Sequence, residues 1–314
     1  MAGELRFDGR VAIVTGSGAG LGREYAKMLA KRGARVIVND IVAERANSVA
    51  EEIAASDGTA VAVVGSVSDR AVAAKMVTTA VEDYGRLDIV VNNAGIIIMK
   101  PFAKLTDDDL TKTLDVHLMG SWRLTQLAWP HMQKARYGRV IMICSSSMFG
   151  MKYAAPYSVA KAALFGLTRA LALEGTPDGI LVNSLAPVAF DSSMAEEVLS
   201  GTQSLAVRER YSAASVAATV AWMAHQDFKL HGECLVSYGS NLGRIFMGET
   251  QGGRCEQGAY TPEAARDLMS RAWDFKDFVL PTSTRDDFRV ISDHDGEYAD
   301  ASFDALEAAV ESSE

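Results

Sequence analysis

Tyr157 and Lys161 stand four residues apart, a spacing that on a helix brings a phenol and an ammonium to one face. A free phenol titrates near 10, too high for efficient proton exchange at neutral pH, and a neighbouring cation favours the phenolate. The pair therefore reads as proton-transfer machinery with Tyr157 as general acid/base. Tyr153 has no such partner, because the residue four positions on is Tyr157 itself, so it is expected to line a substrate pocket or to pack. Upstream, Ser145, Ser146 and Ser147 follow Cys144 and the apolar run RVIMI at 139–143. A hydroxyl both donates to and accepts from a reacting oxygen, where a thiol is a weak partner.

A second constellation lies near the start of the chain. Gly16, Gly20 and Gly22 come after the apolar run VAIVT and before an amphipathic stretch, and a second run ends in Asn39 and Asp40. In a strand–loop–helix frame, glycines let backbone amides and the positive end of the helix meet a pyrophosphate. Asp40 stands close to the place, about 20 residues beyond the last glycine, of a carboxylate that accepts hydrogen bonds from an adenosine ribose. A carboxylate there repels a 2′-phosphate, and no Lys or Arg interrupts GSGAGLG, so NAD is expected rather than NADP.

These residues need a scaffold, and the apolar pattern supplies one. Short β-branched runs recur at 11–15, 35–40, 60–64, 88–95, 139–143, 180–187 and 233–239, with amphipathic stretches between them up to 180. Runs apolar on both faces and separated by crossover helices predict an α/β, doubly wound, seven-stranded parallel sheet. After Gly239 the chain turns glycine-rich, then TPEAARDLMSRAWDF offers an N-cap threonine, a proline in the first turn and an apolar stripe. The expected organisation is a dehydrogenase-type domain over 6–239, an extension with a helix over 240–291 at a subunit interface, and an acidic tail over 292–314.

Across 314 residues the net charge is −9, which argues against a nucleic-acid or anionic-membrane partner and for a small-molecule one. No apolar run reaches the roughly 18 residues of a membrane span, and MAGELRFDGR lacks a signal core, so a cytoplasmic location is expected. Cys144, Cys234 and Cys255 fit neither a disulfide framework nor paired metal ligands and read as free thiols; no metal is expected.

Thr15-Gly16-x-x-x-Gly20-x-Gly22, Asn92-Asn93-Ala94-Gly95 and Tyr157-Ser158-Val159-Ala160-Lys161, in this order, resemble the short-chain dehydrogenase/reductase family. The resemblance implies a Rossmann-type single domain, nicotinamide-dependent hydride transfer and a homodimer or homotetramer. It implies Ser145, Tyr157 and Lys161 as catalytic residues, Lys161 also holding the nicotinamide ribose. For the serine, the register from the strand reaches Ser145 and the register back from Tyr157 reaches Cys144; a loop shortened by one residue favours Ser145 over Ser146 and Ser147. His117 stands where most relatives have asparagine, either as a structural residue or in a proton relay.

For the cofactor the resemblance implies Gly16, Ser17, Gly20, Leu21, Gly22, Asp40, Val67, Asn93, Ala94, Gly95 and Pro187. Ser66 replaces a more usual acid and Ser192 a more usual threonine. Met148, Met151, Tyr153, Phe190 and Met194, with Ser145, are expected on the substrate side. VHLMGS at 116–121 and the C-terminal helix are similar to the D-specific 3-hydroxyacyl-CoA dehydrogenase branch of multifunctional enzymes and to related bacterial hydroxysteroid dehydrogenases. The expected activity is NAD-dependent interconversion of a secondary alcohol and ketone on a bulky apolar substrate, foremost a 3-hydroxyacyl-CoA or hydroxysteroid. A reductase of small terpenoid carbonyls and a non-catalytic NAD-binding module are the alternatives. A coenzyme A substrate would need cations for its phosphates, expected from Arg208, Arg210, Arg244 and Arg254.

Overall fold

A computed structural model describes residues 3–190, 205–250, 252–256, 258–276, 278–284, 286, 304 and 307–312. The seven apolar runs form strands β1 Val11–Val14, β2 Arg35–Asp40, β3 Thr59–Val64, β4 Ile89–Asn92, β5 Gly138–Ile143, β6 Ile180–Val188 and β7 Cys234–Tyr238. They pair in parallel in the order β3-β2-β1-β4-β5-β6-β7. An eighth strand, β8 Asn241–Ile245, adds antiparallel to β7. The sheet thus has eight strands rather than seven, and it continues past Gly239, where the sequence reads the start of an extension. Gly239, at φ +55, makes the tight return that lets β8 fold back.

Burial on both faces explains why the central strands are mainly apolar. Ala12 and Val14 of β1 enter one core with helices α1 Gly20–Lys31 and α2 Ala43–Ala54, while Val11 and Ile13 enter the other with α3 Arg70–Tyr84. This is the period-two alternation of a sheet with a helical layer on each side. The second core also takes α5 Gly120–Ala135 and α6 Ala155–Gly175. Between α3 and α5 comes α4 Asp107–Leu114, started by a capping box in which Thr106 and Asp109 satisfy each other's backbone. It runs into α5 through one wide π turn, Asp115–Met119. Beyond β6 lie α7 Leu205–Arg210 and α8 Ala213–Ala224, the latter on the first core.

At the amino ends of the strands a buried charge ties the sheet together. The Asp88 carboxylate, fully buried, accepts from Arg10 at 2.8 Å, from Arg86 at 2.6 and 2.7 Å and from the Val11 N–H at 2.9 Å. The Tyr137 ring lies under two guanidinium groups, Arg10 at 3.8 Å and Arg139 at 4.4 Å.

The chain divides into two compact units, 1–245 and 246–314. The second holds α9 Pro262–Ala272, capped by the Thr261 side chain on the Ala264 N–H, and a two-stranded antiparallel pair, β9 Glu249–Thr250 with β10 Phe278–Val279. Met269 and Trp273 of its apolar stripe are exposed within it. Most of the acidic tail lies outside the described residues. Among the described residues no helix is long and apolar enough to cross a membrane.

Candidate active site

The carboxyl ends of β1, β2, β4, β5 and β6 open into a cavity of about 560 Å3. It sits at the switch point between β1 and β4, where an open α/β sheet reverses its winding. Every residue expected at the cofactor lines it except two. Ser17 is buried behind the loop, its hydroxyl donating to the Val14 carbonyl at 2.7 Å, and Ser192 lies outside the described residues.

The nucleotide half is shaped by close backbone approach. A Cβ on Gly22 would lie 2.3 Å from the Gly16 carbonyl oxygen, so α1 can start this close to the loop only with glycine there. The Thr15 hydroxyl accepts from the Asn93 N–H at 2.9 Å and the Ala94 N–H at 3.0 Å, and the Asn93 amide donates to Thr15 and Gly16 carbonyls. These bonds lock the β1 loop to the β4 loop. The first turn of α1 has neither a side-chain cap nor an acid, leaving its N–H groups and positive end for a pyrophosphate. The chain therefore fits a dinucleotide.

Asp40 does more than face a ribose. One carboxylate oxygen accepts from the Gly18 N–H at 3.0 Å and the other from the Val42 N–H at 3.0 Å, so it also braces the glycine loop. Beside it Arg45 of α2 lines the cavity, a cation that the run GSGAGLG gives no hint of.

In the other half, α6 carries Tyr157 and Lys161 inward from a start at which Pro156 fits the first turn. The Lys161 ammonium, buried, donates to the Ile143 carbonyl at 2.5 Å, and burial lowers its pKa to about 8. It remains charged at neutral pH, at a cost of about 3 kcal/mol for desolvation. Burial holds the Tyr157 pKa above its ordinary value, opposed by the Ser145 hydroxyl beside it; the Lys161 ammonium lies 5.4 Å from the ring centre and points to the backbone.

Of the three serines, Ser145 and Ser146 line the cavity, whereas Ser147 is buried away from it. Ser145 also caps the short turn Ser146–Phe149 by accepting from the Ser147 N–H at 3.1 Å. Cys144 lines the floor, its thiol pushed well up by its contact with Cys234 and by burial.

His117 reaches the cavity from the π turn, edge-on to Tyr157 with ring centres 5.3 Å apart. Its Nε2 lies 3.0 Å from the Ile96 nitrogen and 2.8 Å from the Ile96 oxygen, so either tautomer is held by one residue, and Nδ1 has no protein partner. Burial and the Lys161 charge lower its pKa to about 3, which favours the neutral ring at neutral pH. A neutral imidazole acts by hydrogen bonding, as donor at one nitrogen and acceptor at the other. The ring fills the space over Gly95, where a Cβ would meet Cε1 at 2.3 Å. Gly95 is thus needed for His117, where the sequence reading assigned its space to the cofactor.

On the substrate side, Phe190 and Met151 line the cavity. Met148 does not; it packs against the core of α6 and β5. Tyr153 is also outside the lining and half exposed, its backbone in the left-handed region at φ +69. Met194 lies outside the described residues. Of the arginines expected at a coenzyme A, Arg208, Arg210 and Arg244 are not in the cavity lining, Glu233 binds Arg244 at 2.6 and 2.8 Å, and Arg254 belongs to the second unit.

Comparison with known proteins agrees with this geometry. The family model for the short chain dehydrogenase matches residues 10–203. Peroxisomal multifunctional enzyme type 2 of Mus musculus is 39% identical over 298 residues, which is 91% of this chain and 40% of that one. The (2S)-[(R)-hydroxy(phenyl)methyl]succinyl-CoA dehydrogenase subunit BbsD of Thauera aromatica is 36% identical, over 62% of this chain and 78% of that one. The solved full-length peroxisomal multifunctional enzyme type 2 of Drosophila melanogaster superposes with a TM-score of 0.79 at 31% identity, covering 92% of this chain and 50% of that one. The chain spans about two fifths of the length of the mouse and fly relatives it matches.

Proposed function

The chain belongs to the short-chain dehydrogenase family and is an oxidoreductase acting on CH–OH groups; from that premise we propose that it oxidises 3-hydroxyacyl-CoA thioesters with NAD. The observation that carries the reading is the meeting of Ser145, Tyr157 and Lys161 on one cavity with a nucleotide cradle at its other end. A bound nicotinamide supplies the hydride acceptor. The chain's own groups do the rest. Ser145, which can donate and accept, holds the substrate oxygen, and the Tyr157 oxygen takes its proton. Burial disfavours the phenolate and the Ser145 hydroxyl beside it favours it, so Ser145 is what this chain offers to stabilise it, while the Lys161 ammonium is held at the Ile143 carbonyl. His117, neutral and with Nδ1 unpartnered, positions a neighbour by one hydrogen bond rather than by carrying charge.

Asp40 supports NAD over NADP, since its carboxylate faces the adenosine end. The thioester reading is supported by the CoA-thioester dehydrogenase activity for which the Thauera relative is named and by the apolar walls at Ile96, Ile97, Met151 and Phe190. The free cysteines suit a reducing compartment, the cytoplasm in this reading, and the exposed stripe of α9 suits a homodimer or homotetramer. The test is a spectrophotometric assay of a 3-hydroxyacyl-CoA with NAD or NADP, beside a CoA-free hydroxysteroid. Faster turnover of the steroid, or equal use of both cofactors, overturns the corresponding part of the proposal.

A further inference from the structure

The substrate mouth carries side chains for which the chemistry at Tyr157 has no use. Ile96 and Ile97 line the cavity, and the chain runs on from them to Met99, Lys100, Phe102 and Lys104; Met151 lines it too and leads to Lys152 and Tyr153. The Lys100 N–H donates to the Tyr153 carbonyl at 2.8 Å, so the two segments form one rim. Aromatic rings on it face solvent: Phe102 is 82% exposed, Phe149 71% and Tyr153 49%. Isolated surface apolar groups need no explanation, but three exposed rings on two joined segments that continue from the cavity lining offer a stacking surface.

The backbone and the charges tell the same story. Among the described residues Tyr153 is one of three non-glycine residues at positive φ, a strained conformation that persists where something over-determines it. Here its carbonyl closes the rim and its ring is turned outward beneath the Lys152 ammonium, 4.8 Å from the ring centre. Lys100 is neutralised by Asp109 at 2.7 and 2.8 Å. Lys104 and Lys152 have no ion-pair partner among the described residues.

We propose that this rim is the subsite for the phosphorylated, purine-ended handle of a CoA thioester, with Lys104 and Lys152 meeting its phosphates and Phe102 stacking on its base. The proposal rests on the thioester reading above and assigns to this rim the phosphate recognition that the sequence alone suggests for Arg208, Arg210, Arg244 and Arg254. Point charges on flexible stems suit phosphates that lie far from the reacting carbon and need not be held to a fraction of an ångström.

The test uses the full chain with NAD and two substrates sharing one 3-hydroxyacyl group, the CoA thioester and the pantetheine thioester, which lacks the nucleotide. Lys104→Gln and Lys152→Gln should each raise KM for the CoA thioester about three- to fivefold, the loss of one exposed charge contact, and the pair about tenfold. KM for the pantetheine thioester and kcat for both should stay as they are. Phe102→Ala should act on the same CoA-only KM. Free CoA, titrated calorimetrically, should bind the unmodified chain and bind the double variant about tenfold more weakly. Equal KM changes for both thioesters, or none, overturn the subsite while leaving thioester oxidation intact. If Phe102→Ala alters the sedimenting mass and not the KM ratio, the ring belongs to a subunit contact and the subsite falls. Oxidation of CoA-free alcohols with no turnover of either thioester overturns the substrate class itself.

Discussion

Replacing His117 by asparagine should change how the protein answers to acid. In the folded chain this imidazole protonates only near pH 3, because it is buried and faces the Lys161 charge; in the unfolded chain it protonates near 6.5. The folded pKa is depressed, so between these values the unfolded state binds the extra proton. The associated stability is complete above pH 6.5 and is lost as pH falls from there towards 3. At pH 4.5 the loss comes to about 2–3 kcal/mol for this single side chain. Asparagine does not titrate, and it is smaller than the ring that Gly95 makes room for. Urea unfolding followed by circular dichroism at pH 7.5 and 4.5, at fixed ionic strength, gives the two free-energy drops. The drop in the unmodified protein should exceed that in His117→Asn by 2–3 kcal/mol, whatever the variant's stability at neutral pH. Parallel drops would refute the buried, neutral imidazole, as would a His117 ring that titrates above pH 5 by NMR.

Tyr157→Phe should lower turnover by about 10²–10⁴-fold with cofactor affinity unchanged in a fluorescence titration, since only the proton-carrying oxygen goes. Ser145→Ala should cost more turnover than Ser146→Ala, because Ser145 alone acts on the phenol; the reverse order would move the role to Ser146. Asp40→Ala should raise kcat/KM for NADP, and adding Arg45→Gln should remove most of that gain, because Arg45 lines the same end of the cavity. Gly95→Ala should lower the melting temperature, and His117→Ala in that background should restore part of it; no restoration would show that the added methyl meets something other than the imidazole.

The strands β1 to β7 were legible because most are largely buried and so spelled as short, mainly apolar runs. β8 was not. Its residues, NLGRI, are mostly exposed or half-buried at the sheet edge, and Gly243 sits at its centre, so no pattern distinguishes it from a loop. Tyr157 and Lys161 could be read from spacing alone, since an α-helix fixes which side chains share a face. The phenol's raised pKa could not, because it depends on burial, which only the packed fold sets. That Tyr153 lies outside the cavity lining could not be read either: a non-glycine at φ +69 turns the segment after Gly150 in a way no residue type announces. Arg45 left a faint signal, an arginine in the first turn of the helix that follows Asp40.

The knot around Asp88 gives the molecule a division of labour between its two rims. β1, β4 and β5 are clasped at their amino ends by a buried carboxylate, three guanidinium groups and one ring, and nothing in that clasp reaches the reaction cavity. For protein engineering this separates the anchor from the workbench. Residues 96–104 and 149–153 can be exchanged to admit a new handle without touching the bonds that hold these strands in register, whereas a conservative-looking change at Asp88 would be paid for across the whole sheet.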